Sequence, residues 1–381
     1  MKRFPKRLHV FLAALVLVAC SKVDPVRDYV KIPLKDGNVL LGSIISKTDT
    51  SITLDTHSGK KSVKISEISF ERISDFSEGL AAVLTGGRWG YIDTCGKLAI
   101  NPRFEEALKF KEGLAPVRLG DKWGFIEPSG KQVIPFILNG AREFYDGMAA
   151  VKAGTKWGYL DTTCNLVITP RFVEGHNFFE GLTAVILNGE LGYIDKSGQM
   201  VLKVNYDESY PFLQGLAEVV KDGKSGYINR QGRLVIDLQF SNAYPFSEGL
   251  AGIQTDEGLD TLLYGFIDTT GRMVIEPQFQ YCFGFKEGLA MVVTGDKTGY
   301  IDKSGEMVIE PRFDLGFAFY EGLADVRIGD KWGYIDKTGR MVIDPQFDDV
   351  RSFNNGFARV QIGNKIGFID KSGRRMFGMM E

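Results

Sequence analysis

Carboxylate side chains that recur at a fixed spacing are the residues of this 381-residue chain best suited to chemistry. An acid at the end of a predicted strand precedes a turn eight times along the chain, and an amide takes its place once. The acids are Asp93, Glu127, Asp161, Asp195, Asp268, Asp302, Asp336 and Asp370, and the amide is Asn229. Two carboxylates about 5–9 Å apart can hydrolyse a glycosidic bond, but only if their surroundings give them different pKa values. Because these acids repeat in like surroundings, we expect each to accept hydrogen bonds from its own turn, with a ladder of bound cations as the lesser alternative.

Patterns of other catalytic and metal sites are missing from the sequence. Apart from His9, the histidines are His57 and His176, which lie far apart and match no zinc spacing. No Cys-x-x-Cys, Gly-x-Ser-x-Gly, P-loop or dinucleotide fingerprint occurs, and the glycines are explained by turns. We therefore predict that the protein is not an enzyme, binds no metal and uses no cofactor.

A short leader begins the chain. Four positive residues precede an apolar run over residues 8–19, which is too short to span a bilayer as a helix. The run ends in Leu17-Val18-Ala19-Cys20, which resembles a lipobox; an ordinary signal peptide with a chance cysteine is the alternative. The resemblance implies a signal peptide over residues 1–19, lipidation of Cys20 and a linker to residue 27. Acyl chains on Cys20 would anchor the protein to a membrane.

The resemblance to bacterial lipoproteins also implies a location in the cell envelope. The residue after the lipidated cysteine is Ser21 rather than the aspartate that retains such proteins in the inner membrane. Where the cell has two membranes, we therefore expect the periplasmic face of the outer one.

The charge balance argues against nucleic acid as a partner. The whole chain has 46 basic and 48 acidic residues; removal of the leader takes away four basic ones, so the net charge falls from −2 to −6. No basic stripe occurs, and nucleic-acid binding depends on one.

Two sequence markers repeat in one register and define nine units over residues 76–381. The tripeptide Trp-Gly-aromatic occurs at 89–91, 123–125, 157–159 and 332–334, and five degenerate copies fill the intervals at a spacing of 34 residues, once 39. The second marker is Glu-Gly-Leu-Ala, as at 321–324. An aromatic residue follows the motif glycine in every unit, and a phenylalanine such as Phe319 or Phe353 begins every unit. A unit this short cannot close a core alone, so we expect neighbours to share aromatic ladders.

Each unit is predicted to form three short strands. In the unit that begins at Phe319, apolar residues alternate with charged ones over 324–328, the period of a half-buried strand. A turn leads into residues 332–336, and a second turn leads into residues 341–343, which Pro345 ends. The motif glycine fits a place where another backbone or a ring approaches closely. The repeats are therefore predicted to be all-β.

The repeats resemble the WG-repeat proteins of bacteria, on segments such as Lys122-Trp123-Gly124-Phe125-Ile126 and Lys331-Trp332-Gly333-Tyr334-Ile335-Asp336. The resemblance covers residues 76–381 and implies a β-repeat array without a settled biochemical activity. Three strands are fewer than the four of a propeller blade, so an open solenoid is the favoured architecture. A closed, propeller-like ring is the alternative.

Residues 28–75 lack the repeat and read as four or five short strands joined by tight turns. The segment weakly resembles SH3-like or Sm-like small barrels, a likeness that implies no function. We interpret it as a small β-barrel-like module that caps or spaces the first repeat.

Residues that break the repeat are the better candidates for binding. An insertion of mixed acidic and apolar residues lengthens one hairpin, and loops on a rigid scaffold often bind partners, although a tolerated insertion is the alternative. Its candidate residues are Asp256, Glu257, Leu259, Asp260, Leu262 and Leu263. A second candidate surface combines tryptophans with the lysines that precede them, unless these tryptophans only pack. Its residues are Trp89, Trp123, Trp157, Trp332, Lys122, Lys156 and Lys331.

We accordingly predict a membrane-anchored, non-catalytic β-repeat scaffold that binds a protein partner. The alternative is a cell-wall glycan ligand held at the Lys-Trp positions, which requires the tryptophans to be exposed in a line.

Overall fold

A computed structural model describes residues 29–34, 39–47, 51–56, 59–64, 70–255, 263–363 and 365–377. Strands dominate these residues and no helix occurs among them, so the all-β prediction is confirmed. Nor does this part of the chain contain a helix with the length and apolar character needed to cross a bilayer. The leader, the lipidation site Cys20 and residues 256–262 of the insertion lie outside the described residues.

The N-terminal segment forms one four-stranded antiparallel sheet in which consecutive strands pair. Its strands are Tyr29–Pro33, Val39–Lys47, Ser51–Thr56 and Gly59–Lys64. The buried side chains include Ile32, Ile52 and Leu54. The meander agrees with the strand pattern of the sequence, whereas its likeness to an SH3-like or Sm-like barrel stays a prediction.

Nine further sheets follow in chain order, here called repeats 1 to 9, and each is an antiparallel meander. The second strands are Leu80–Thr85, Ala115–Leu119, Met148–Ala153, Leu182–Leu187, Leu216–Lys221, Leu250–Thr255, Ala290–Thr294, Ala324–Ile328 and Phe357–Ile362. The third strands carry the Trp-Gly motif and are Arg88–Asp93, Lys122–Ile126, Lys156–Asp161, Glu190–Asp195, Lys224–Asn229, Leu263–Asp268, Lys297–Ile301, Lys331–Ile335 and Lys365–Asp370. The fourth strands are Leu98–Phe104, Gln132–Leu138, Leu166–Phe172, Met200–Lys203, Leu234–Phe240, Met273–Phe279, Met307–Phe313, Met341–Phe347 and Arg375–Phe377.

Eight of the nine repeats have an additional first strand of only two residues, which the sequence analysis missed. These strands are Arg72–Ile73, Glu106–Ala107, Gly140–Ala141, Glu208–Ser209, Asn242–Ala243, Tyr281–Cys282, Leu315–Gly316 and Asp349–Val350. Repeat 4, whose residues are all described, has three strands. The prediction of three strands per unit is therefore wrong for the other eight.

The fourth strand also corrects the predicted architecture. A four-stranded antiparallel meander is the blade of a β-propeller, whereas the open solenoid was inferred from a count of three. The open solenoid is therefore wrong, and the propeller-like alternative is the one that the sheets support.

The described residues fall into two compact units. The first unit contains repeats 1 to 3 and residues 196–198. The second unit contains the other residues of repeats 4 to 9, as far as residue 375. Within each unit an aromatic ring of one repeat packs on a phenylalanine of the next. Tyr91 contacts Phe110 in the first unit and Tyr334 contacts Phe353 in the second, at centroid distances of 4.9 and 4.8 Å. The predicted sharing of aromatic rings between repeats is confirmed.

The motif glycine lies in the third strand, at a point where the backbone of the neighbouring fourth strand approaches closely. A Cβ atom on Gly333 would lie 2.4 Å from the carbonyl oxygen of Ile343 and 2.8 Å from the nitrogen of Pro345. The pairing of these two strands shifts register at this point, between Trp332 and Tyr334. Only glycine leaves room for the bulged strand, as the sequence predicted.

Candidate functional site

The repeated acids accept hydrogen bonds from the turns that follow them. The Oδ1 atom of Asp336 accepts hydrogen bonds from the backbone N–H of Thr338 at 2.9 Å, the Thr338 hydroxyl at 2.6 Å and the N–H of Arg340 at 3.1 Å. The Thr338 hydroxyl is the main cause that lowers the pKa of Asp336, so this carboxylate stays ionised at neutral pH. Asp268, Asp302 and Asp370 accept the same set of bonds. Among the described residues, no group of three or more His, Cys, Asp or Glu side chains could hold a metal ion.

The carboxylates of the Glu-Gly-Leu-Ala marker tie one repeat to the next. Glu321 accepts the N–H of Gly356 at 2.9 Å and pairs with the Lys371 ammonium at 3.1 Å. Glu287 likewise accepts the N–H of Gly322 and pairs with the Lys337 ammonium. In the first unit, Glu78 accepts the N–H groups of the next marker, at 112 and 113. These acids therefore have a structural role.

The four candidate tryptophans lie half-buried in four different sheets. Trp89 and Trp123 pack against the apolar cores of repeats 1 and 2. Trp157 lies beside the Arg142 guanidinium, 5.4 Å from the ring centroid. In repeat 8, Trp332 stacks on Phe317 at 5.7 Å.

The lysines before these tryptophans lie apart from them. Neighbours in a strand point to opposite faces of the sheet, so a Lys-Trp pair does not form one surface. Lys331 pairs with Asp348, Lys122 lies 3.8 Å from Asp121, and Lys156 is exposed. Of the insertion, only Leu263 is described, and it begins the third strand of repeat 6 half-buried.

A chain of touching aromatic rings crosses repeats 6, 7 and 8, and we call these rings the aromatic patch. Its members are Tyr244, Tyr264, Tyr281, Phe283, Phe317 and Trp332. Consecutive centroids lie 5.4 to 6.0 Å apart throughout. The contact from Tyr264 to Tyr281 joins repeats 6 and 7, and the contact from Phe283 to Phe317 joins repeats 7 and 8. The patch is thus a continuous chain of ring contacts that spans three repeats.

The most exposed members of the patch come from the first strands. Tyr281 and Phe317 are 38% and 41% exposed, and Leu315, two residues before Phe317, is 42% exposed. Residues two apart in a strand face the same side, whereas Cys282, between Tyr281 and Phe283, is buried. Repeats 7 and 8 thus present two adjacent pairs of apolar side chains to solvent.

Other repeats carry different residues at these two positions. Four residues before the invariant phenylalanine they have Arg72, Glu106, Gly140, Glu174, Glu208, Asn242 and Asp349. Two residues before it, repeats 1 to 4 and 9 have Ser74, Leu108, Arg142, His176 and Arg351. Comparison of the repeats by their differences would have singled out these positions in the sequence, but not their exposure to solvent.

At the tyrosine end of the patch, the polar side-chain groups of repeat 6 make hydrogen bonds with one another. The Tyr264 hydroxyl accepts the side-chain amide N–H of Asn242 at 3.1 Å and lies 3.5 Å from the Tyr244 hydroxyl. Burial, and then hydrogen bonds to Tyr264 and Tyr281, raise the pKa of Tyr244. The Tyr244 phenol therefore remains neutral across the physiological pH range.

Charged residues flank the patch on both sides. In repeat 9, Asp349 pairs with Arg359 at 2.9 Å and Arg351 at 3.6 Å. In repeat 5, exposed Glu208 accepts the Tyr210 hydroxyl at 2.6 Å, and buried Glu218 accepts the Ser225 hydroxyl at 2.8 Å. Within the described residues, the partner of exposed Glu208 is the neutral Tyr210 hydroxyl rather than a basic side chain. The two flanks therefore differ. Two arginines neutralise Asp349 in repeat 9, whereas Glu208 in repeat 5 has a neutral partner within the described residues.

Repeat 4 has a shallow cleft of about 420 Å³. The ion pair between Lys203 and Glu190, at 2.6 Å, lies on its wall, and both side chains are largely exposed. An exposed ion pair on an open wall gives little binding energy, so the cleft is a weaker candidate than the patch.

Tandem four-stranded meanders that share aromatic rings define a β-propeller-type repeat protein. The family model described as "WG containing repeat" matches residues 63–89, 89–123, 123–157, 157–190, 192–224, 226–258, 264–297, 299–332 and 332–365. The chain therefore belongs to the WG-repeat family. No curated protein matches it.

The solved structures that match this chain are remote in sequence. PorZ, a surface component of the type-IX secretion system of Porphyromonas gingivalis, is 11% identical with a TM-score of 0.29, over 82% of this chain and 52% of that one. The extracellular domain of a putative one-component system from B. thetaiotaomicron is 10% identical with a TM-score of 0.31, over 94% of this chain and 60% of that one. Kluyveromyces lactis Hsv2p is 9% identical with a TM-score of 0.37, over 58% of this chain and 88% of that one. The chain thus spans only about half to three fifths of the first two.

Proposed function

We propose that this protein is a lipid-anchored envelope protein whose β-repeats form a non-catalytic scaffold for a protein partner. The aromatic patch carries the proposal. Aromatic side chains at the centre of a surface and charged residues at its rim are typical of protein interfaces, where a few aromatic anchors supply most of the binding energy.

The repeated polar residues support a scaffold rather than a catalyst. The acids of the turns and of the markers accept hydrogen bonds from the backbone of the same repeat or the next one. An active site needs acids whose surroundings set them apart from their copies. These carboxylates have like surroundings from one repeat to the next, because they accept hydrogen bonds within turns or between repeats. No pair of them is therefore set apart as a catalytic pair would be.

A protein partner is favoured over a cell-wall glycan at the Lys-Trp positions. Sugar rings stack on exposed aromatic faces, whereas the four tryptophans are half-buried and their lysines point to the opposite faces. The lipobox-like Leu17–Cys20 supports an anchored protein on the periplasmic face of the outer membrane.

Crosslinking in cells, followed by mass spectrometry of the captured material, tests this function. The full lipidated chain is compared with the Cys20→Ser variant, which cannot carry the anchor. We expect one discrete protein to be enriched with the anchored form only. Recovery of peptidoglycan fragments without a consistent protein would contradict the proposal and favour the glycan.

A further inference from the structure

We infer that the aromatic patch, with Leu315 beside it, docks an extended protein segment that carries apolar side chains at alternate positions and a basic residue over repeat 5. This inference rests on the proposed scaffold function and names the chemistry of the partner.

The spacing of the patch matches an extended chain. The ring centroids of Phe283 and Phe317, at equivalent positions of repeats 7 and 8, are 6.0 Å apart. Alternate residues of an extended chain lie about 6.6 Å apart and point to the same side. A segment that crosses the repeats can therefore place one apolar side chain on each repeat.

The exposed apolar area lies in the middle of this path and charged residues lie at its ends. Tyr281, Leu315 and Phe317 are each more than a third exposed. The flanking repeats 5 and 9 carry Glu208 and Asp349 at the position of Tyr281 and Leu315. A segment with an apolar middle is thus held over repeats 6 to 8.

Charge sets the direction of the segment. Asp349 in repeat 9 already has two arginine partners. In repeat 5, the exposed carboxylate of Glu208 accepts only the Tyr210 hydroxyl within the described residues. A lysine or arginine of the bound segment supplies the missing positive charge at the repeat 5 end.

A displayed library of random short peptides, selected on the purified full-length protein, tests the inference. Selected peptides are then synthesised, and their affinities are measured by fluorescence anisotropy at two salt concentrations. The expected sequences have apolar residues at alternate positions and a lysine or arginine near one end. Failure to enrich any peptide, or enrichment of sequences without this pattern, would overturn the inference.

Substitutions that introduce the equivalent residues of other repeats test the position of the binding site. Phe317→Arg introduces the residue of repeats 3 and 9, and Leu315→Glu introduces the residue of repeats 2, 4 and 5. Each is expected to weaken peptide binding at least about tenfold. Val342→Ser is the matched control, because Val342 is 42% exposed in the same repeat but lies on the fourth strand. Equal affinities of the control and the two patch variants would overturn the site.

Glu208→Gln tests the direction of the segment. It is expected to weaken the basic peptides several-fold and to reduce the salt dependence of binding. No change in either quantity would refute the role of Glu208. Thermal unfolding of every variant shows whether a loss of binding comes from a loss of fold.

The outcomes separate this inference from the proposed function. If crosslinking still captures the same protein with Phe317→Arg, the scaffold function holds and the site is wrong. If soluble peptidoglycan fragments bind in a way that depends on Phe317, the patch binds a glycan and the peptide inference fails.

Discussion

At the scale of single residues, Glu218 differs from the acids of the turns and of the markers. It is 7% exposed on the second strand of repeat 5, at a position where repeats 1, 3 and 4 have alanine. Burial raises its pKa to about 7, against the hydrogen bond from Ser225, and the Glu208 charge adds to the rise. The turn acids Asp268, Asp302, Asp336 and Asp370 have the opposite tendency, because the hydroxyl group two residues further on donates a hydrogen bond to each carboxylate and lowers its pKa.

Glu218 is expected to make the protein less stable as the pH rises. A carboxyl group with a higher pKa in the folded state binds more protons folded than unfolded, so stability falls between about pH 4.5 and about pH 7. The loss for this group is at most about 3 kcal/mol. Urea unfolding from about pH 5 to about pH 8 should show this slope in the wild type and a smaller one in Glu218→Gln. Parallel curves for the two proteins would contradict the assignment.

At the scale of the strand, the motif glycine controls the fit of the fourth strand. Gly333→Ala would force a Cβ atom against the backbone of Ile343 and Pro345 and is expected to cost about 2–3 kcal/mol. Urea unfolding measures this loss.

Gly284→Ala is the matched control for this prediction. Its added Cβ would lie 3.6 Å from the Cβ of Ser247, an ordinary contact, so the free energy of unfolding should hardly change. A similar loss for both variants would show that a general effect of replacing glycine, rather than the close approach of the fourth strand, explains the loss.

Strands were predictable where alternation extends over several residues. The second strand of repeat 8, Ala324–Ile328, alternates clearly and lies where the sequence placed it. The first strand, Leu315–Gly316, has only two residues, too few to show a period of two. The missing strand led directly to the wrong architecture, because the solenoid was inferred from the strand count.

The aromatic patch was not found because a search for repeats emphasises what recurs. Tyr281 and Phe283 look like core residues in the sequence, and only the sheet shows that their side faces solvent. The roles of the turn acids and the motif glycine, by contrast, followed from chemistry within a few residues. Local bonds can be predicted from a sequence, whereas exposure depends on the neighbouring repeats.

At the scale of the whole molecule, the anchor decides where the scaffold acts. Two or three acyl chains hold a protein on a membrane, whereas one chain exchanges. Wild-type protein should therefore appear in the membrane fraction and incorporate labelled palmitate, and Cys20→Ser should do neither. Cys95→Ser is the control, since Cys95 is an exposed thiol within repeat 1. Label on Cys20→Ser would refute the lipobox interpretation.

The tyrosines of the third strands give several contacts between repeats an optical reporter. The hydroxyls of Tyr227, Tyr300 and Tyr334 donate to a backbone carbonyl of the following repeat at 2.6 to 2.9 Å. Burial raises the pKa of each phenol well above its usual value. The part of the alkaline phenolate absorbance that comes from these three buried phenols therefore appears only as their contacts open.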